Sequence, residues 1–134
     1  MADTHVAITG NLTDDPELAY TPTGAAVANF RLAVTPRVRD GNGWKDGDTS
    51  FFRITAWRQL AEHVGDSLGK GDRVIVLGQL RMRSWETPEG ERRSVVEVTA
   101  EEVGPSLKWA TAKPERAKAN GTATAGRFND DPPF

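Results

Sequence analysis

The 134 residues predict an all-β domain with one short helix. Three observations carry this. Five segments alternate apolar and polar side chains with the period of two of a half-buried strand. One segment alone, between the third and fourth of these, has apolar residues at helical spacing. The joints are rich in Gly, Pro, Asn and Asp, which end strands and shape turns.

The first strand is His5–Leu12, with Val6, Ile8 and Leu12 on one face. Thr13–Ala25, with Pro16, Pro22 and Gly24, reads as a loop. Ala26–Thr35 is the second strand, with Ala28, Phe30, Leu32 and Val34 on one side and Asn29 and Arg31 on the other. Pro36–Thr49 holds Gly41, Gly43 and Gly47 and reads as a long loop or flexible hairpin. Ser50–Trp57 is the third strand. Arg58–Leu68 is the helix, with Leu60, Val64 and Leu68 at i, i+4 and i+8 and a stop at Gly69. Arg73–Trp85 is the fourth strand, Thr87–Gly90 a hairpin turn, and Glu91–Val103 the fifth strand. The order βββ-α-ββ is that of an OB-fold, a five-stranded Greek-key barrel. A generic β-sandwich fits the alternation too, but the strand count and the helix position favour the barrel.

Composition shifts near residue 110. From Ala110 to the closing residues there is no Leu, Ile, Val or Trp. Such a stretch cannot offset its ordering entropy by burial, so a disordered tail is expected. The expected division is an OB-fold domain over 1–109, a linker over 110–128 and an acidic tip over 129–134.

The formal net charge is −2, from 17 Lys and Arg against 19 Asp and Glu. At face value this argues against a polyanionic partner. By segment, however, residues 1–30 hold four acids and no Lys or Arg, and residues 31–93 hold twelve bases and nine acids. The middle of the chain is modestly basic. There is no Cys, which excludes disulfides, zinc–thiolate sites and thiol catalysis. No apolar run approaches the roughly 20 residues that span a bilayer. A cytoplasmic, nucleoid-associated protein with no membrane partner is expected.

Strand parity then locates a candidate binding face. On the third strand Phe51, Arg53, Thr55 and Trp57 share one side, opposite Phe52, Ile54 and Ala56. On the fourth, Arg73, Gln79, Arg81, Arg83 and Trp85 lie opposite Val74, Val76, Leu80 and Met82. Large exposed aromatics are costly unless they stack on something. A lone exposed Trp is as readily an oligomer contact. Two of them, each with Arg two or four residues away, point to single-stranded nucleic acid. There bases lie on rings and guanidinium groups follow phosphates.

Catalytic chemistry is not expected. His63 reads as a surface residue of the helix, and Asp14-Asp15-Pro16 as a turn. Asp46 and Asp48 lack an EF-hand pattern. Gly69-Lys70-Gly71-Asp72 lacks the phosphate-loop pattern and reads as a helix-to-strand turn. Neither metal nor cofactor is expected, and no nucleophile and base are suggested together.

Several motifs resemble bacterial single-stranded DNA-binding protein: Val6-Ala7-Ile8-Thr9-Gly10-Asn11-Leu12 with Asp15-Pro16-Glu17, Gly24 to Phe30, Leu60-Ala61-Glu62, Lys70 to Val74, and Gly78-Gln79-Leu80-Arg81. The resemblance covers roughly residues 4–108, and Gly104 to Lys113 is similar to the actinobacterial branch. It implies an OB-fold, a homotetramer, and DNA wrapped around it. Its stacking aromatics map onto Phe51, Trp57 and Trp85. A fourth falls at Val38, where Trp44 is the nearby substitute. The family often has a polar residue, near subunit contacts, where Phe52 stands. Asp130-Asp131-Pro132-Pro133-Phe134 is similar to the family's acidic tip, which docks partners of replication, recombination and repair.

The expected function is therefore sequence-independent binding of single-stranded DNA, with partner recruitment through the tip. Candidate phosphate contacts are Arg31, Arg37, Arg39, Lys45, Arg53, Arg58, Arg73, Arg81, Arg83, Arg92 and Arg93, with Arg53, Arg81 and Arg83 foremost. Two alternatives are an OB-fold adaptor of primosome type with weakened DNA binding, and an RNA binder.

Overall fold

The computed structural model describes residues 3–117. Five long strands close a barrel. They are β1 (His5–Leu12), β3 (Ala26–Val34), β6 (Ser50–Trp57), β7 (Arg73–Glu86) and β8 (Arg92–Pro105). The sheet order is β1-β7-β8-β6-β3, and Asn11 and Leu12 of β1 pair with Ala33 and Leu32 of β3 to complete the circuit. One pairing, β6 with β8, is parallel; the others in the circuit are antiparallel. This is the OB-fold expected from the element order.

Three short strands add to the five, two of them forming the hairpin that is one reading of Pro36–Thr49. β2 (Glu17–Tyr20) adds to the outer edge of β3, and β4 (Arg37–Asp40) pairs with β5 (Gly43–Asp46) as a separate hairpin. β2 is exposed along its whole length, so it carries no burial alternation to read. The β4–β5 connection is the two-residue Gly41-Asn42, with Gly41 at φ +65°, as a tight hairpin requires.

The core repeats the phase predicted for the first four long strands, and Val98 and Ala100 of β8, a strand without an assigned inward side, join it. Ile8, Leu12, Ala28, Phe30, Leu32, Ile54, Ala56, Val74, Val76, Val98 and Ala100 are buried together. Helix α1 (Arg58–Ser67) plugs one side with Ala61 and Val64 buried and Leu60 and Leu68 packed partly against the core. Phe52 also packs partly inward. Met82, expected on the apolar face, is 69% exposed instead. Beyond Leu80 every residue of β7 is exposed, because the 14-residue β7 and β8 outrun the barrel and nothing among the described residues covers their far half.

Gly10 permits closure. A Cβ there would sit 2.6 Å from the Ala33 carbonyl oxygen and 3.0 Å from a Val34 methyl, so only glycine lets β1 pass so close to β3. A β-bulge lies between Leu77 and Gly78, where β7 bends against β8. The Gly69–Asp72 turn joins α1 to β7. Lys70 N–H donates to the Asp15 carboxylate at 2.8 Å, and Gly69 N–H to the Asp72 carboxylate at 2.9 Å. Asp15 thereby ties the β1–β2 loop to this turn. No helix among the described residues is long and apolar enough to cross a membrane.

Candidate nucleic-acid interface

Strands β3, β6, β8 and β7 present one outward face, and their register aligns it in transverse rows. One row runs Asn29, Thr55, Thr99, Gln79, and the next Arg31, Arg53, Glu97, Arg81. Beyond them Ala33 stands opposite Phe51, Val95 opposite Arg83, and Arg93 opposite Trp85. Residues far apart in sequence become neighbours because strand partners lie about 4.8 Å apart.

An open cleft of about 430 Å³ follows from this register. Arg31, Phe51, Arg53, Arg83, Trp85, Val95 and Val96 line it. Its rings are half-exposed, and each carries a guanidinium. Arg31 lies 5.0 Å from the Phe51 ring centroid, and Arg83 lies 5.5 Å from that of Trp85. Such cation–π pairs orient the arginines beside the rings without using up all their donors. A second depression of about 250 Å³ shares Arg31 and Arg53 and runs on to Asp14, Asp15 and Glu17. The face is thus basic and aromatic at one end and acidic at the other.

The remaining expected site residues fall into separate groups. Trp57 is on the same outward side of β6, but six residues beyond Phe51, about 20 Å along the strand. It is the residue that caps α1, followed by Arg58 at φ +60°. Arg81 lies in the second row, its Nη2 donating to Gln79 Oε1 at 2.9 Å. Arg92 and Arg93 are at the exposed outer end of the β7–β8 hairpin, where Arg93 pairs with Glu91 at 3.0 Å.

On the β4–β5 hairpin Arg37, Arg39 and Trp44 share a face. Arg37 lies 3.9 Å from Asp46, and Arg39 stacks 5.4 Å from the Trp44 ring centroid. Val38 points the other way with Lys45, toward Gly47 and Pro36 at the hairpin base. Trp44 therefore does not restore an aromatic at Val38. It places one on the opposite face of the hairpin.

Arg73 is the outlier. It begins β7, ten residues and about 33 Å of strand from Arg83. Its guanidinium lies 4.6 Å from the Trp109 ring centroid, with Lys108 5.2 Å from the same ring. Its Nε is buried without a hydrogen-bond partner. Here Arg73 fastens the segment after β8 to the barrel, a role that strand parity does not distinguish from the groove arginines. The tip residues Asp130, Asp131, Pro132, Pro133 and Phe134 lie outside the described residues.

Sequence reasoning missed Glu97, which sits among these cations. Its Oε2 accepts from Arg83 Nη2 at 3.1 Å and lies 3.7 Å from Arg53 Nη1. Its odd parity with Val95 was readable, but its partners depend on the β6–β8 and β7–β8 registers.

Comparison with known proteins identifies the family. The family model described as "Single-strand binding protein family" matches residues 3–106. A single-stranded DNA-binding protein of Paenarthrobacter aurescens is 53% identical over 126 residues, covering 92% of this chain and 74% of the relative. One from Mycolicibacterium smegmatis is 55% identical over 121 residues, covering 89% and 73%. The crystal structure of a small single-stranded DNA-binding protein from Streptomyces coelicolor superposes with a TM-score of 0.72 at 36% identity, covering 80% of this chain and 97% of that one. The chain belongs to the single-strand binding protein family.

Proposed function

We propose that this protein binds single-stranded DNA without sequence specificity, as a binding protein rather than an enzyme. One observation carries the reading: Phe51 and Trp85 share a cleft with Arg31, Arg53 and Arg83. Bases stack on the rings, and the guanidinium groups meet phosphates. Every base has a π-face and every nucleotide a phosphate, so the arrangement is indifferent to sequence. Trp57 extends the stacking surface along β6, and the β4–β5 hairpin brings Arg37, Arg39 and Trp44 to a further stretch of strand, with Lys45 on its other face.

Protection of exposed strands during replication, recombination and repair follows from such binding, in the cytoplasm and on the nucleoid. Residues 129–134 act as a separate partner-docking tip on a linker over 110–128. Assembly as a homotetramer is supported by two features. Ile75 and Leu77 are 43% and 44% exposed on the outward side of β7. The edge of β1 from His5 to Gly10, on the side away from β7, has no partner among the described residues. Exposed apolar rows and free strand edges both invite a second copy.

The deciding experiment is a titration of tryptophan fluorescence with poly-dT, poly-U and duplex DNA at low and high salt. Strong quenching by poly-dT, weakening steeply with salt, is expected. Preference for poly-U would favour the RNA reading. Absence of quenching by all three would leave the adaptor.

A further inference from the structure

Two arginines that line the cleft holding Phe51 and Trp85 share one carboxylate, that of Glu97. Glu97 lies in register with Arg53 on β6 and Arg81 on β7, in the middle of the row Arg31, Arg53, Glu97, Arg81. Its side chain is 21% exposed, whereas those of Arg53 and Arg83 are 51% and 58% exposed. The carboxylate, still partly exposed, is therefore set deeper than the two guanidinium groups it holds, which themselves line the cleft and reach its rim. A negative charge in that position repels a phosphodiester. It also occupies the cations that would otherwise draw one inward. Arg31 and Arg81, at the ends of the row, make no ion pair among the described residues.

We propose that Glu97, set behind the arginines, makes the inner side of the cleft a site for base edges and confines phosphates to its rim. The inference rests on the single-stranded DNA reading above. Each base carries an N–H on its pairing edge: thymine at N3, cytosine at N4, adenine at N6, guanine at N1 and N2. A carboxylate can accept from any of these, so it is as tolerant of sequence as an aromatic ring. A phosphate offers acceptors and negative charge only. Glu97 thus sets the strand with bases inward against Phe51 and Trp85, and it discriminates against polyanions that lack bases.

Glu97→Gln removes the charge at nearly constant volume and tests this. The full chain and the variant are titrated, by fluorescence anisotropy over a salt series, with labelled oligo-dT and with an abasic oligomer of equal length. The wild type is expected to bind oligo-dT far more tightly than the abasic strand. In Glu97→Gln the abasic affinity rises about tenfold, with a salt slope steeper by about 0.7 for one added phosphate contact. Affinity for oligo-dT changes much less. Glu97→Asp, which keeps the charge, retains the discrimination. Should the Gln variant fail to fold, Glu97→Thr, suited to an outward strand position, replaces it. A gain equal on both ligands, or no gain on the abasic strand, overturns the proposal while leaving DNA binding intact. Failure of the wild type to bind oligo-dT overturns both.

Discussion

Trp57 and Trp85 share a strand phase but not a neighbourhood. Trp85 lies in the cleft beside Arg83, and Trp57 ends β6 at the start of α1. Base–aromatic stacking in single-strand binders, the class to which this family belongs, is generally worth about 1–3 kcal/mol per base by alanine substitution. Both Trp57→Ala and Trp85→Ala are expected to weaken oligo-dT binding within that range and to leave the fold intact. Affinity by titration and stability by thermal melting check this together; unchanged affinity in both variants removes the stacking assignment. Their effects should nearly add, because the two rings are far apart and share no partner. Arg73 carries the opposite lesson. By parity alone it belongs with Arg81 and Arg83, yet it is under Trp109. Parity assigns a side of the sheet, not a place along it.

Among the elements, β1 shows how one residue governs closure. Gly10 leaves room for the Ala33 carbonyl and Val34. Gly10→Ala should therefore force β1 and β3 apart and cost about 1–3 kcal/mol. The denaturant midpoint is expected to fall with an unchanged m-value; an unaltered midpoint would show that the strands yield freely. The β4–β5 hairpin shows a limit of pattern reading. Its glycines mark turns, but its four-residue strands are too short and too exposed for alternation to declare them. The same holds for β2. The long strands were readable because one face of each meets the core. Met82 continues that alternation past the point where any core remains, which is why its exposure contradicts its phase.

For the whole molecule, the outer apolar row and the free β1 edge bear on assembly. Ile75→Glu combined with Leu77→Glu places two charges where each subunit would bury methyl groups. Light scattering should then report a smaller particle than the wild type, with the barrel still folded by circular dichroism. An unchanged mass would move the subunit interface elsewhere. The tip belongs to this scale as well. Removing Asp130–Phe134 is expected to spare affinity for single-stranded DNA and to abolish capture of replication and repair partners. Loss of DNA affinity would instead put those residues in the groove.

The sequence by itself determined the order of the five long strands along the chain, the position of the helix, and which side of the first four of those strands faces inward. These are local matters, decided by side-chain period and by turn residues within a few positions. It also placed Arg and aromatic residues on the outward phase of β6 and β7, and its motifs carried the family resemblance. Only the tertiary structure decided which of them meet. The β3–β6, β6–β8 and β7–β8 registers bring Arg31, Arg53, Phe51 and Trp85 to one cleft with Glu97 beside it, and leave Arg73 at the far end of its strand. Register is a relation between strands distant in sequence, set by how two apolar faces fit one core, and no single strand contains it.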